Sequence, residues 1–161
     1  MALTIDGSDP TGDLGDLLDA KLPIAGGKIL QIVRATDATD RETTSTSFVD
    51  ASISVTITPQ KSDSAILLVS TVVTQVAISA NYADFQITDS SNNAISGAQL
   101  AGFRAAANAQ RVPLSFIAYA TPATTSATTY KLRFRSNTGT AIAIYNNTQS
   151  TGQMYAIEVS A

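Results

Sequence analysis

Three cations alternate with two apolar residues in Lys131-Leu132-Arg133-Phe134-Arg135. On a strand, a period of two puts Lys131, Arg133 and Arg135 on one face and Leu132 and Phe134 on the other. Such a cationic row can contact an anionic glycan or an acidic neighbouring subunit. On a sheet edge it also guards against unwanted strand pairing. The carboxylates Asp37, Asp40, Glu42 and Asp50 lie close together in sequence. Two carboxylates at a suitable separation serve glycoside hydrolysis. Sugar-cleaving sites also rely on aromatic platforms, however, and this chain has no Trp. A hydrophilic loop ahead of the next strand accounts for the cluster better. The aspartates Asp6, Asp9, Asp13, Asp16 and Asp19 supply the oxygen atoms that calcium needs. Counted from Asp6, though, position five of an EF-hand loop is Pro10 and position twelve is Leu17, so that pattern fails. Gly26-Gly27-Lys28 resembles the end of a phosphate-binding loop, but Leu22 stands where the first glycine belongs and Ile29 where Ser or Thr belongs. Asn146-Asn147-Thr148 forms a glycosylation sequon that has meaning only on a secretory route.

The residues that are missing exclude more than those present suggest. The 161 residues include no His, no Cys and no Trp. There is then no Ser-His-Asp triad, no Cys-His nucleophile, no disulfide and no zinc site of the usual ligands. Histidine is the common general base near neutral pH, so the expectation is a protein that is not an enzyme, with no cofactor and no metal. The net charge of -3 lacks the basic footprint of nucleic-acid binding. The longest hydrophobic stretch, Ile66 to Ile78, is interrupted by Ser70, Thr71, Thr74 and Gln75. It is too short and polar to span a membrane as a helix. The acidic N-terminus does not read as a secretory signal.

The elements that must position these residues follow from hydrophobic period. Residues 1–27 read as an arm, with Leu14, Leu17 and Leu18 at helical spacing, Asp13 and Asp16 on the opposite side, and Pro23 and Gly26-Gly27 as the stop. A helix so short needs a surface to pack on, which makes these five residues the candidate docking contacts. From Lys28 the period becomes two. Strands are expected at Lys28 to Arg34, Ser52 to Thr58, Ile66 to Ile78, Tyr82 to Thr88, Val112 to Ala120, Tyr130 to Arg135, Ala141 to Tyr145 and Gln153 to Val159. Turns are expected at Asp89 to Asn93 and at Gly97. Ala101 to Ala109 is read as strand then loop rather than helix. Ile66 to Ile78 is apolar on both faces for much of its length, so both faces need cover, by a second sheet or a partner chain. A symmetric oligomer is expected on that ground. The chain carries 25 Ala, 21 Thr and 17 Ser with 14 % charged residues. Thr suits half-buried strands, and the alanine excess suggests close approach of sheets or subunits. The expected fold is an all-β, jelly-roll-like antiparallel sandwich over 28–161 behind the N-terminal arm.

Several stretches together carry a resemblance. They are Gly27-Lys28-Ile29-Leu30-Gln31-Ile32-Val33, Thr44 to Asp50, Ser54 to Pro59, Ser62 to Val69 and Thr121 to Leu132. This pattern resembles small β-sandwich domains of tailed-bacteriophage virion proteins, over about residues 27–161. Asp19 to Gly27 also looks like a linker of phage fibre proteins. The resemblance implies a structural protein of the virion, assembled in the host cytoplasm, and it carries no catalytic residue. A short arm in place of a long shaft resembles the capsid decoration (cement) proteins. That implies a homotrimer whose arm grips the major capsid protein. The alternative implied is a tail-fibre or receptor-binding module, recognising a host glycan through loops at Asn137 to Thr140 and Asn146 to Gly152.

Overall fold

The computed structural model describes residues 27–161; the arm, with Asp13, Leu14, Asp16, Leu17 and Leu18, lies outside the described residues. Ten strands follow one another: β1 Ile29–Asp37, β2 Arg41–Thr43, β3 Val49–Ile57, β4 Ala65–Val76, β5 Tyr82–Asp89, β6 Ala94–Arg104, β7 Gln110–Ala120, β8 Thr128–Ser136, β9 Ile142–Ile144 and β10 Gly152–Val159. The described residues contain no helix, so the strand-then-loop reading of Ala101 to Ala109 holds.

The strands form two antiparallel sheets. In the larger, β1 pairs β10, β10 pairs β4, and β4 pairs β7 on its other side; the short β9 and β2 extend the sheet beyond the end of β10. The smaller sheet has the order β3-β8-β5-β6. Setting aside the three-residue strands β2 and β9, eight long strands pair as nested partners: β1 with β10, β3 with β8, β4 with β7, and β5 with β6. This is one long hairpin rolled over on itself, the jelly-roll arrangement. Turn chemistry closes its innermost loop. The Asp89 carboxylate accepts the backbone N–H groups of Ser91 and Asn93, and Asn92 takes the left-handed conformation at φ 69°.

Alternation fills the space between the sheets. Ile53, Val55 and Ile57 of β3, Ile66 and Leu68 of β4, Phe85 and Ile87 of β5, and Leu132 and Phe134 of β8 all point inward and are buried. Phe85 stacks on Phe116 at 4.7 Å and on Phe134 at 6.2 Å between ring centroids. Ala51, Ala83, Ala118 and Ala156 belong to the same core. Much of the alanine excess therefore lets the two sheets approach each other.

Three local features differ from expectation. Gly97 is not a turn: it sits inside β6 at φ +74°, within an irregularity of the β5–β6 register. The acidic loop before β3 contains the short strand β2, too brief to leave a periodic signal. Lys131, Arg133 and Arg135 lie on a strand held between β3 and β5, so their row does not protect a sheet edge.

One end of the sandwich is fastened by a buried carboxylate. Glu158 is 0 % exposed. Its Oε2 accepts the Gln31 side-chain amide at 2.6 Å, and its Oε1 accepts the backbone N–H groups of Gln60 and Lys61 at 2.8 and 3.2 Å. Burial pushes this carboxyl up, but the donors of Gln31, Lys61 and Gln60 outweigh it and hold the group below its ordinary value. A depressed folded-state value means a contribution that is full above the unfolded carboxyl's titration near about pH 4.3 and lost as pH falls through the folded value. Glu158→Ala should cost about 2–4 kcal/mol at pH 7, because a buried acceptor of charge-assisted bonds is removed. Urea titrations should show the gap between wild type and variant narrowing below about pH 4. A gap independent of pH would mean that packing, not charge, is what the residue contributes.

Candidate functional site

The two outer faces of the sandwich differ in chemistry. On the smaller sheet the outward row of β8 is engaged within its own sheet and loops, with the Arg133 Nε left buried and without a hydrogen-bond partner. Lys131 donates to the Asn92 amide oxygen at 2.7 Å, Arg133 donates to the Phe48 carbonyl, and Arg135 pairs with Asp84 at 3.1 Å while lying over the Phe48 ring. The three predicted contact cations thus share one face, each already engaged by its own chain.

The outer face of the larger sheet carries an apolar patch toward one end of the sheet. Register places Ile32, Ile157, Leu67 and Tyr119 side by side across β1, β10, β4 and β7. The next outward row is Arg34, Tyr155, Val69 and Ile117. Ile32, Ile117 and Tyr119 are 59 %, 64 % and 59 % exposed. Leu67, Val69, Tyr155 and Ile157 are half-buried. The same strands turn Leu68, Phe116, Ala118 and Ala156 into the core. The long apolar run of β4 therefore has one face covered by the second sheet and the other open. One uncharged row of large apolar side chains, with a second that only Arg34 interrupts, is the kind of patch that marks an interaction site. The sequence of β7 strengthens this reading: residues 116–120 are apolar on both parities, the signal already noted in β4.

The other candidates dissolve into local structure. Asp37 pairs with Arg41 at 3.2 Å and accepts the Asn146 side-chain amide at 3.0 Å. Asp50 accepts the Ser52 N–H at 2.6 Å, where β3 bulges and Ser52 takes φ 57°. Among the described residues no three or more acidic side chains gather in a way that could hold a metal ion. The two loops expected to read a glycan use their amides internally. Asn137 accepts the Tyr82 N–H, and Asn147 accepts those of Gln149 and Ser150. The described residues include no helix long and apolar enough to cross a membrane.

Fold and surface together define a rolled β-sandwich whose smaller sheet turns a polar face outward and whose larger sheet turns an apolar patch outward. No protein-family model matches the sequence, and no curated protein matches it.

Proposed function

We propose that this protein is a non-enzymatic structural component of a tailed-phage particle, a homotrimer that decorates and stabilises the capsid. The observation that carries this reading is the apolar outer face of the larger sheet, which suits contact between copies of this chain. The row of Ile32, Ile157, Leu67 and Tyr119 has no charge, so identical copies meet there without repulsion. The sequence resemblance supplies the phage context. Rolled sandwiches serve viral shells and lectins alike, so the fold does not choose between them. Residues 1–26 precede β1, a strand of this face, and carry Leu14, Leu17 and Leu18. Burying three leucines on the major capsid protein contributes on the order of 5–8 kcal/mol per subunit before the cost of ordering the segment. Three arms on one trimer raise the avidity further. A subunit that binds only the assembled lattice stabilises that lattice by mass action.

Location and copy number in purified particles test the reading. Tens to hundreds of copies on the shell are expected, and a handful on the tail would sink it. Deleting residues 1–27 should abolish binding to capsids lacking the protein while leaving the oligomer intact by light scattering. Capsid binding retained by the truncated protein would remove the arm from the mechanism.

A further inference from the structure

A sheet edge is a row of backbone N–H and C=O groups open to another strand, and folded proteins blunt such edges. Of the four long edge strands, three are blunted here. β1 shifts register between Ile29 and Gln31, carries Arg34, and gives its Leu30 carbonyl to the Gln60 side-chain amide. β3 bulges between Asp50 and Ser54, and β6 breaks register twice against β5. β7 is the exception. It pairs with β4 from Gln110 to Ala120 without an irregularity, and among the described residues no strand pairs with its other side. Val112 to Ala120 carry no charge.

Two neighbours fix where the backbone groups of β7 point. The Val73 carbonyl accepts the Tyr145 N–H at 2.8 Å, so Val73 turns its polar groups toward β9 and away from β7. Pro113 stands opposite Val73 and has no N–H to offer β4. By alternation Ser115, Ile117 and Tyr119 turn their N–H and C=O groups out to the free edge, and all three residues are exposed.

We infer that the free edge of β7 pairs antiparallel with β7 of a second copy, about a two-fold axis at Ile117. The strand is self-complementary in that register. Ile117 meets its own copy and Ser115 meets Tyr119, so the outward groups of three residues on each strand exchange about six hydrogen bonds. Pro113 falls opposite Thr121, beyond the end of β7, where its missing N–H costs nothing. Centring on Ser115 instead would set Pro113 opposite Ile117 and lose bonds. On the core side Phe116 meets Ala118 and Leu114 meets Ala120, a large side chain against a small one each time. With no charge on either strand, identical copies approach without repulsion, and the contact is closed by its own symmetry. Its role on a shell, linking neighbouring trimers into a continuous net, rests on the capsid reading; the pairing itself does not.

Sedimentation velocity on the full chain, from micromolar toward millimolar concentration, tests the pairing. The particle present at micromolar concentration is expected to double in mass as concentration rises. A single chain that becomes two would support the pairing and sink only the trimer. Ser115→Pro removes an N–H that β4 does not use, so the circular dichroism of the sandwich should not change. By symmetry it deletes two of the bonds across the axis, and the doubling should weaken at least about 10-fold. Cysteine cross-linking reads the register, in a chain with no cysteine of its own. Ser115→Cys and Tyr119→Cys proteins oxidised together should link at least about 10 times faster than either alone, since 115 meets 119 within disulfide reach. Two copies of residue 115 stand about 13 Å apart along the strands. A wild type that keeps one mass over the whole range would overturn the inference and leave this edge to residues 1–26 or to another protein. So would doubling that a folded Ser115→Pro protein retains in full, or cross-linking by Ser115→Cys alone as fast as in the mixture.

Discussion

Replacing Gly102 with alanine is expected to cost at least about 3 kcal/mol of stability, above the usual penalty for an added methylene. A Cβ on Gly102 would stand 1.2 Å from the Ala83 carbonyl oxygen, 2.3 Å from its carbon and 3.0 Å from the Asp84 Cα. All three atoms are backbone of the neighbouring strand β5, so no side-chain rotation relieves the clash. The close approach has a cause in the register. Ala83 faces Phe103 while Phe85 faces Leu100, so β6 spends one residue more than β5 over the same span. The Gly102 N–H turns to the Asp84 carboxylate at 3.1 Å, and the same carboxylate holds Arg135. A side chain at Gly102 therefore strains the pairing of β5 with β6 and the ion pair on the outer face together. Gly97, earlier on the same strand, provides the control. It needs its positive φ of +74°, but a Cβ added there would meet nothing within 4 Å. Gly97→Ala should then cost only about 1–2 kcal/mol of backbone strain. Urea denaturation of both variants checks the ranking, and a larger loss at Gly97 than at Gly102 would contradict this packing.

These two glycines show where sequence reading loses its grip. In sequence Gly97 looks like a turn residue, and Gly102 counts only against a helix in an alanine-rich stretch. One is a bulge position that needs its φ, and the other is a contact position that needs its missing side chain. The difference lies in cross-strand register, which no local window contains. The long strands are legible because alternation is itself the physical cause of burial: Ile53, Val55 and Ile57 can face only one core. The short β2 is not legible, since three residues joined to β9 by register are too few to show a period. The cationic row of β8 is legible as one face. Its engagement by Asn92, Phe48 and Asp84 depends on loops and a neighbouring strand far away in sequence. The apolar outer face is half visible. The run of β4 announces a second apolar side, but only the pairing of β4 with β10 and β7 turns Leu67, Val69, Ile117 and Tyr119 into a single surface.

Ile117→Asp is expected to take the assembly apart and leave the subunit folded. Ile117 is 64 % exposed, and its side chain adds nothing to the core, which its neighbours Phe116 and Ala118 fill from the other side of β7. A charge there costs little in an isolated chain. Between two copies it would lose its water against Val69 and the row of Ile32, Ile157, Leu67 and Tyr119, three strands away from Arg34 of its own row, a penalty of several kcal/mol. Each 1.4 kcal/mol is about a tenfold change in the association constant, so a shift of at least about 100-fold is expected. Light scattering at micromolar concentration should report the wild type near three times the chain mass of 16.7 kDa and the variant near one. Circular dichroism and the urea midpoint of the variant monomer should show an intact sandwich. Arg135→Ala supplies the contrast on the opposite sheet: it loses a contact with Asp84 and should keep the oligomer. A wild type that runs as a single chain, or an Ile117→Asp protein that still runs as three, would remove this face from the assembly. Because the two sheets turn such different surfaces outward, the pair of variants separates a specific interface from general stickiness: only the apolar side should respond.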